Sequence, residues 1–296
     1  MAMAGPSQFF AAAIFTNFGV AQRSDPCLDA SAMKQPVKVI PPIRLKDFDP
    51  AFCHGLDKDA TREKTTKLCQ RIAELQDLLY ANANRAVLIL LQGMDTSGKD
   101  GATKRLLEFV NPLEIEIANF KAPSTEELAH DYLWRVHKVL PRCGHIGVFN
   151  RSHYEDVLIV RVMKLEPERV WRMRYAQINA FEKYLTENRV VLLKFFLHIS
   201  KDEQAERLKA RLADPRKNWK FESGDLAMRA KWPQFQQAYE DALNRCSPSW
   251  SPWHLVPADR KWYRDYVIAC TVVDVLEKLK LKWPKPREDL SKIKIV

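Results

Sequence analysis

Residues 93 to 101, with the sequence GMDTSGKDG, include the residue types that bind phosphate groups. Gly93, Gly98 and Lys99 satisfy the pattern G-x-x-x-x-G-K, in which backbone N–H groups surround phosphate oxygens and the lysine neutralises the transferring charge. Such a loop ordinarily has Ser or Thr after the lysine as a magnesium ligand, but this chain has Asp100. The pattern predicts a phosphate site and leaves open which residue binds the metal.

Two carboxylates are candidates for that metal. Asp95, inside the loop, can hold Mg²⁺ or orient the attacking phosphate oxygen, and its alternative role is that of a turn-forming aspartate. The segment FNRSHYEDV (149–157) puts Asn150, Arg151 and Asp156 at or just beyond the end of a predicted strand, where open α/β sheets bind ligands. There Arg151 can hold a phosphate through two hydrogen bonds and Asp156 can share a metal. Taken alone, Arg151 also fits a surface arginine, and Asp156 a first-turn acid that interacts with the helix dipole.

A third cluster is basic and spans residues 206 to 221, ERLKARLADPRKNWKF. A basic helix followed by a turn that contains proline predicts a lid, at about residues 206–224, that closes over phosphates and excludes water. The alternative is a solvated helix face. The basic residues of this segment are Arg207, Lys209, Arg211, Arg216, Lys217 and Lys220.

The elements that must position these groups alternate along the chain. Short apolar runs predict strands at 86–92, 114–120, 145–150, 190–199 and 253–257. Helical patterns separate them, with a stripe beginning near Thr61, a capping box of Ser124 and Glu127 before a helix at 125–140, a long helix at about 167–188, and Ser200 as an N-cap. We therefore predict an α/β fold in which helices flank a mostly parallel sheet, in one domain from residue 34 to 296.

Composition adds a basic surface and few other constraints. The chain has 47 Lys and Arg against 37 Asp and Glu, a formal charge of +10, which is consistent with a polyanionic partner or with a solvated surface. Six scattered cysteines indicate neither a zinc site nor a disulfide framework, and a reducing, cytoplasmic location fits best. Residues 1–33 are interpreted as a disordered tail or an upstream extension, and the sequence predicts no membrane span.

Together these motifs resemble the polyphosphate kinase 2 family, from about residue 40 to 285. The most specific blocks are GMDTSGKDG, FKAPSTEELAHDYLWRVHKVLP, FNRSHYEDVLIVRV, RLADPRKNWKF and PADRKWYRDYVIA, in the family's order. The resemblance implies a P-loop kinase fold with catalytic Asp95, Lys99, Arg151 and Asp156, and with Mg²⁺ bound by the two aspartates. The further phosphate- or nucleotide-binding candidates are Gly93, Ser97, Gly98, Asp100, Gly101, Asn150, Arg161, Arg207, Arg211, Lys217 and Lys220.

The implied reaction is Mg²⁺-dependent transfer of the terminal phosphoryl group of polyphosphate to AMP or ADP, since FNRSHYED is similar to the group of the family that accepts both. The family also implies a homo-oligomer, a dimer or a tetramer, with no nucleic-acid or membrane partner. Two alternatives stay open at this point: a nucleoside monophosphate kinase that uses ATP, and a basic nucleic-acid-binding module. The second needs exposed aromatic residues beside the basic patch, for which Trp219, Trp232, Trp262 and Tyr263 are the candidates.

Overall fold

The computed structural model describes residues 38–221, 223–290 and 293, so the predicted tail at residues 1–33 lies outside the described residues. Within this part of the chain, five strands form one parallel sheet in the order β2-β3-β1-β4-β5. The prediction of a parallel α/β sheet is therefore confirmed. The strands are β1 (Ala86–Gln92), β2 (Ile115–Asn119), β3 (Ile146–Asn150), β4 (Val190–His198) and β5 (Trp253–Pro257).

Helices connect the strands and cover both faces of the sheet. A helix must separate parallel neighbours because the chain has to return to the same edge before the next strand begins. Short 3₁₀ helices lie at Leu45–Asp47, Pro112–Glu114, His153–Asp156 and Asn218–Lys220. The α-helices are α1 (Lys58–Asn82), α2 (Lys99–Leu106), α3 (Thr125–Leu128), α4 (Trp134–His137), α5 (Ile159–Val162), α6 (Glu168–Glu187), α7 (Lys201–Ala213), α8 (Ser223–Ala230), α9 (Trp232–Arg245) and α10 (Lys261–Lys278).

The position of β1 in the middle of the sheet explains why its sequence is a continuous apolar run. Val87, Ile89 and Leu91 face a core layer formed with α1, α2 and α10, whereas Leu88 and Leu90 face a second layer formed with α6 and α9. Alternate side chains of a strand point to opposite faces, so a strand covered on both sides needs apolar residues at every position. This burial fixes the end of β1, from which the phosphate-binding loop emerges.

The predicted helix at 125–140 is wrong as a single element. The capping box is present, since the Ser124 hydroxyl accepts from the Glu127 N–H and the Glu127 carboxylate accepts from the Ser124 N–H, but α3 ends at Leu128. Asp131 then accepts hydrogen bonds from the N–H groups of residues 133 and 134, which starts a separate turn that leads into α4. Aspartate competes with the helix in this way through local side-chain to backbone bonds. No helix within the described ranges is long and apolar enough to cross a membrane.

Candidate active site

The loop between β1 and α2 depends on two glycines for its shape. Gly93 has φ of +152°, and a Cβ at this position would lie 2.7 Å from the backbone oxygen of Leu197 on β4. Gly98 is the N-cap of α2 with φ of +100°, and the guanidinium of Arg264 from α10 occupies the space that its Cβ would need. Only glycine meets both the left-handed backbone conformation and the close packing. The loop is therefore held from two sides, by β4 and by α10.

Lys99, the first residue of α2, lies against the loop. Its Nζ donates to the backbone oxygens of Gly93 (2.8 Å) and Met94 (3.2 Å), and the residue is buried. Burial, together with the nearby positive charge of Arg151, lowers the pKa of Lys99 to about 8. An ammonium held this way is a point charge that phosphate oxygens would stabilise.

The loop aspartate and the arginine that follows β3 meet directly. An Arg151 Nη2 lies 2.6 Å from Asp95 Oδ1, and the Arg151 backbone N–H donates to Leu91 at the end of β1. Arg151 has φ of +64°, a conformation that is unusual for a residue with a side chain and is often found at functional sites. The meeting of these two residues follows from the pairing of β1 with β3, because parallel strands present their carboxyl ends at one edge of the sheet.

A cleft of about 180 Å³ opens beside this ion pair. Acidic groups line it together with Arg151, and they come from the loop (Asp95), from the 3₁₀ helix after β3 (Glu155) and from α8 (Asp225). Glu155 is not among the residues predicted from the sequence, although it directly precedes the predicted Asp156 in the motif. Carboxylate oxygens are what Mg²⁺ accepts from proteins, usually one or two of them together with water and substrate phosphates.

The side chain of Asp156 contacts α6 and does not line the cleft as described. Its Oδ1 accepts from Nη1 of Arg174 on α6 at 3.2 Å, and it is outside the described lining of the cleft. Burial raises the pKa of Asp156 to about 6, although the charge of Arg174 acts in the opposite direction. The structure therefore brings together Asp95, Lys99 and Arg151 of the predicted catalytic set, and it directs the side chain of Asp156 to a different partner.

The aspartate in the usual Ser or Thr position forms a bridge between elements. An Asp100 Oδ1 accepts from Nδ2 of Asn150 at 2.6 Å, which ties the first turn of α2 to the end of β3. Ser97, one of two hydroxyl residues in the loop, is fully buried, and its Oγ has no hydrogen-bond partner among the described residues. Gly101 lies next to Arg264, since a Cβ there would be 3.4 Å from its Nη2.

Arg207 of α7 braces the loop through backbone oxygens. Its Nη1 donates to Thr96 (2.9 Å) and Ser97 (3.0 Å), and its Nη2 donates to residues 258 and 259 after β5 (2.6 and 2.9 Å). Its Nε completes the set with a bond to Glu203 at 2.7 Å. A planar guanidinium with five N–H groups suits such a junction. In this structure Arg207 therefore connects the base of the predicted lid to the phosphate-binding loop.

The predicted lid at 206–224 comprises the end of α7, a turn, the 3₁₀ helix Asn218–Lys220 and the beginning of α8. Arg211 pairs with Asp225 across α7 and α8 at 3.1 Å, and Lys217 pairs with Asp214 within the turn at 2.6 Å. Lys220 ends the 3₁₀ helix, and its side chain lies outside the description. The Arg211 contact places this part of the lid beside the cleft, because Asp225 lines it.

Arg161 of α5 links this helix to α6 and α9. Its Nη1 donates to Asp241 of α9 at 2.6 Å and to the Tyr175 hydroxyl of α6 at 3.4 Å, and its guanidinium lies 4.7 Å from the ring centre of Trp171. Arg161 is outside the described lining of the cleft. Its contacts stabilise the packing of α5, which follows the catalytic motif.

A buried charged network lies under the 3₁₀ helix that carries Glu155. Lys194 of β4 donates to Glu182 of α6 at 2.5 Å, and both side chains are fully buried. Glu182 also accepts from the Tyr154 hydroxyl at 2.8 Å and contacts His153 Nε2 at 3.3 Å. The network anchors the segment between Arg151 and α5 from below, and it gives His153 a packing role.

Among the residues that the structure describes, no three His, Cys, Asp or Glu side chains form a ready-made metal site. Asp95, Glu155 and Asp225 all line the cleft, and Asp225 is also paired with Arg211 of α7.

Comparison with known proteins gives consistent results. A sequence profile described as polyphosphate kinase 2 (PPK2) matches residues 55–284. The chain is 47% identical over 257 residues to an AMP/ADP-polyphosphate phosphotransferase of Meiothermus ruber, covering 86% of this chain and 96% of that protein. It is 43% identical over 228 residues to an ADP-polyphosphate phosphotransferase of Rhodopseudomonas palustris, covering 73% and 79%. The crystal structure of polyphosphate kinase 2 from Arthrobacter aurescens TC1 superimposes with a TM-score of 0.84 at 41% identity, covering 86% of this chain and 92% of that one.

Proposed function

The chain belongs to the polyphosphate kinase 2 family, and from this premise we infer that it transfers the terminal phosphoryl group of inorganic polyphosphate to AMP or ADP, giving ADP or ATP. It is thus a polyphosphate:nucleotide phosphotransferase with the predicted P-loop kinase fold. The observation that carries the proposal for its mechanism is the contact of Asp95 with Arg151 beside a loop that holds Lys99.

In this proposal Lys99 and Arg151 stabilise charge on the transferred phosphoryl group. Phosphoryl transfer requires mainly positioning and electrostatic stabilisation, because charge is spread over the oxygens of the transferring group. The backbone of the loop and the N-terminus of α2 hold the phosphate chain, and Arg207 keeps the loop in place through its bonds to residues 96 and 97. The lid at 206–224 is proposed to close over the phosphates and to exclude water.

Asp95 is proposed to contact both the phosphate of the acceptor nucleotide and the metal, since its carboxylate lines the cleft and is held there by Arg151. Asp95 would hold Mg²⁺ at this position, where the ion would supply positive charge that neutralises part of the phosphate charge. Asp156 remains a proposed metal ligand on the strength of the family motif, although its carboxyl contacts Arg174. Its test is the Mg²⁺ concentration at half-maximal activity, which should rise in Asp156→Asn. An unchanged value would remove Asp156 from the metal site and leave Glu155, which lines the cleft, as the second acid.

The proposed activity is tested by incubating the purified protein with Mg²⁺, polyphosphate and either AMP or ADP, and by separating the nucleotides chromatographically. We expect ADP or ATP to form only when polyphosphate is present. No product with either acceptor would contradict the proposal. Replacing polyphosphate with ATP tests the nucleoside monophosphate kinase alternative, which needs AMP to be phosphorylated without polyphosphate.

The nucleic-acid alternative is not favoured, because its aromatic candidates do not form one exposed surface. Tyr263 is 1% exposed and packs in the core, whereas Trp219 is 73% exposed on the lid. Stacking platforms need ring faces that bases can reach. Two further proposals remain. The family implies a homo-oligomer, dimer or tetramer, which light scattering of the purified protein tests. The scattered cysteines favour a cytoplasmic location, which cell fractionation tests.

A further inference from the structure

A buried guanidinium that the proposed mechanism does not use lies behind the phosphate-binding loop. Arg264, in the first turn of α10, is 2% exposed. Its Nη1 occupies the space that a Cβ on Gly98 would need, and its Nη2 would lie 3.4 Å from a Cβ on Gly101. Gly98 is the N-cap of α2, and Gly101 belongs to the first turn of that helix. Arg264 therefore packs against the end of α2 at which the loop is expected to hold phosphate.

The hydrogen bonds of Arg264 leave one end of its guanidinium uncompensated. Nε and Nη2 both donate to Oδ1 of Asp265, at 2.9 and 2.6 Å. Nη1 has no hydrogen-bond partner among the residues that the structure describes. Buried polar atoms without partners are uncommon and call for an explanation. Asp265 thus compensates the charge at Nε and Nη2, whereas the positive charge at Nη1 faces the N-cap of α2.

The surroundings of this Nη1 are already positive. The N-terminus of α2 carries the positive end of the helix dipole, and Lys99 is the first residue of that helix. Arg207 lies on the same side, since its Nη1 would be 3.5 Å from a Cβ on Gly98. The pKa of Arg207 is lowered, chiefly by burial, and the charge of Arg264 acts in the same direction. Like charges held together in a buried region repel, and an anion bound in the loop relieves that repulsion.

We propose that Arg264 is a positioning residue for polyphosphate, whose charge acts through the N-cap of α2 and strengthens the hold of the loop on phosphates that the guanidinium does not touch. Electrostatic interactions are stronger in a buried region than in water, so a cation behind the loop still acts on phosphates in front of it. Packing against Gly98 needs only volume, and a buried ion pair is often replaceable by apolar residues without loss of stability. The charge of Arg264 therefore points to a ligand. The inference rests on the proposed function in naming polyphosphate as that ligand.

Binding of tripolyphosphate, measured by calorimetry without nucleotide, tests this role apart from phosphoryl transfer. Arg264→Met should raise Kd about tenfold, whereas Arg264→Lys keeps the charge and should stay within about threefold of the wild type. Asp265→Asn should lower Kd, because the amide oxygen still accepts from Arg264 but no longer compensates its charge. A merely structural role predicts the same direction, weaker binding, for Arg264→Met and Asp265→Asn.

The matched controls lie on the same helix. Asp274 and Lys278 form an exposed ion pair on α10, so Asp274→Asn and Lys278→Met make the same charge changes away from the loop and should leave Kd unchanged. Lys99→Met removes a cation of the loop itself and should weaken binding, which identifies the loop as the site of the anion.

An unchanged or raised Kd in Asp265→Asn would overturn the proposal, and this result does not depend on the folding of an Arg264 variant. Equal Kd values for Arg264→Met and Arg264→Lys, no binding by the wild type, or binding that Lys99→Met leaves unchanged would overturn it as well. Transfer is assayed separately. If tripolyphosphate binding changes across the variants as expected but no ADP or ATP forms, the proposed function fails and the role of Arg264 in anion binding stands.

Discussion

The guanidinium of Arg151 lies 2.6 Å from the carboxylate of Asp95, although the two residues are 56 positions apart in the chain. One follows β3 and the other follows β1, and the pairing of Leu91 with Asn150 in the sheet places both at the same edge. Lys99 completes the group by folding onto the loop between them.

Asp95→Asn should reduce kcat/KM for polyphosphate-dependent phosphorylation of AMP by at least about 100-fold, a loss typical of removing a charged group that acts in the transition state. The amide keeps the shape of the side chain but loses the charge that pairs with Arg151 and is proposed to bind metal. Activity is measured by nucleotide chromatography, and urea unfolding should match the wild type. Asp59→Asn, whose side chain is 86% exposed, is the control and should keep full activity. Normal turnover in Asp95→Asn would remove the proposed role.

We expect kcat/KM to decline at alkaline pH, because the charged form of Lys99 is needed for transfer. Its pKa is lowered to about 8 by burial, so the ammonium is present below this value and is lost as pH rises through it. The kcat/KM profile reports the free enzyme and should fall about tenfold per pH unit well above pH 8, whereas the limb in kcat should move to higher pH because bound phosphates stabilise the ammonium. In Lys99→Arg the guanidinium stays charged, so residual activity should show no such limb. A flat wild-type profile up to pH 10 would contradict the role of Lys99.

We expect substitutions of Lys194 and Glu182, which form a buried ion pair, to have strongly non-additive effects on the free energy of unfolding. Lys194→Met leaves the Glu182 carboxylate buried without its ion-pair partner and should lower the free energy of unfolding by about 3–5 kcal/mol. The double variant Lys194→Met/Glu182→Gln should lose less than the sum of the two single variants, since no uncompensated charge remains. Urea unfolding measures all three.

The matched control is Lys183→Met on α6, whose ion pair with Glu187 is exposed. It should change the free energy of unfolding by less than about 1 kcal/mol. If Lys194→Met were as mild as this control, the buried network would not be a significant source of stability.

Gly98→Ala and Gly55→Ala separate backbone strain from close packing. Both glycines have positive φ, +100° and +67°, but a Cβ at Gly55 would meet nothing within 4 Å, whereas one at Gly98 would overlap the guanidinium of Arg264. Gly55→Ala should cost about 1–2 kcal/mol of unfolding free energy and leave activity intact. Gly98→Ala should cost more and abolish transfer, because the loop must move to admit the methyl group. Equal effects of the two substitutions on activity would show that the fit against Arg264 is unimportant.

The sequence determined much of the fold because its signals are local. A buried run such as AVLILLQ followed by a glycine loop and a helix specifies a strand, a turn and an anion site within a few residues. The expectation that Asp95 and Arg151 would share one sheet edge also came from the sequence, since parallel strands end on the same side. The helix expected at 125–140 was wrong because Asp131 starts a new turn, a competition that helical periodicity does not reveal.

Only the tertiary structure decided which neighbouring side chain faces the cleft and which faces the core. Glu155 and Asp156 are adjacent, but successive residues of a 3₁₀ helix point about 120° apart, so one lines the cleft and the other meets Arg174 of α6. Likewise, the family resemblance implies that Arg207 contacts phosphate, and only the structure shows that its guanidinium also bonds to backbone oxygens of two distant loops. The sequence determined which chemical groups are present near each strand end, and packing between distant elements decided their orientation, because the direction of a side chain depends on partners that the local sequence does not contain.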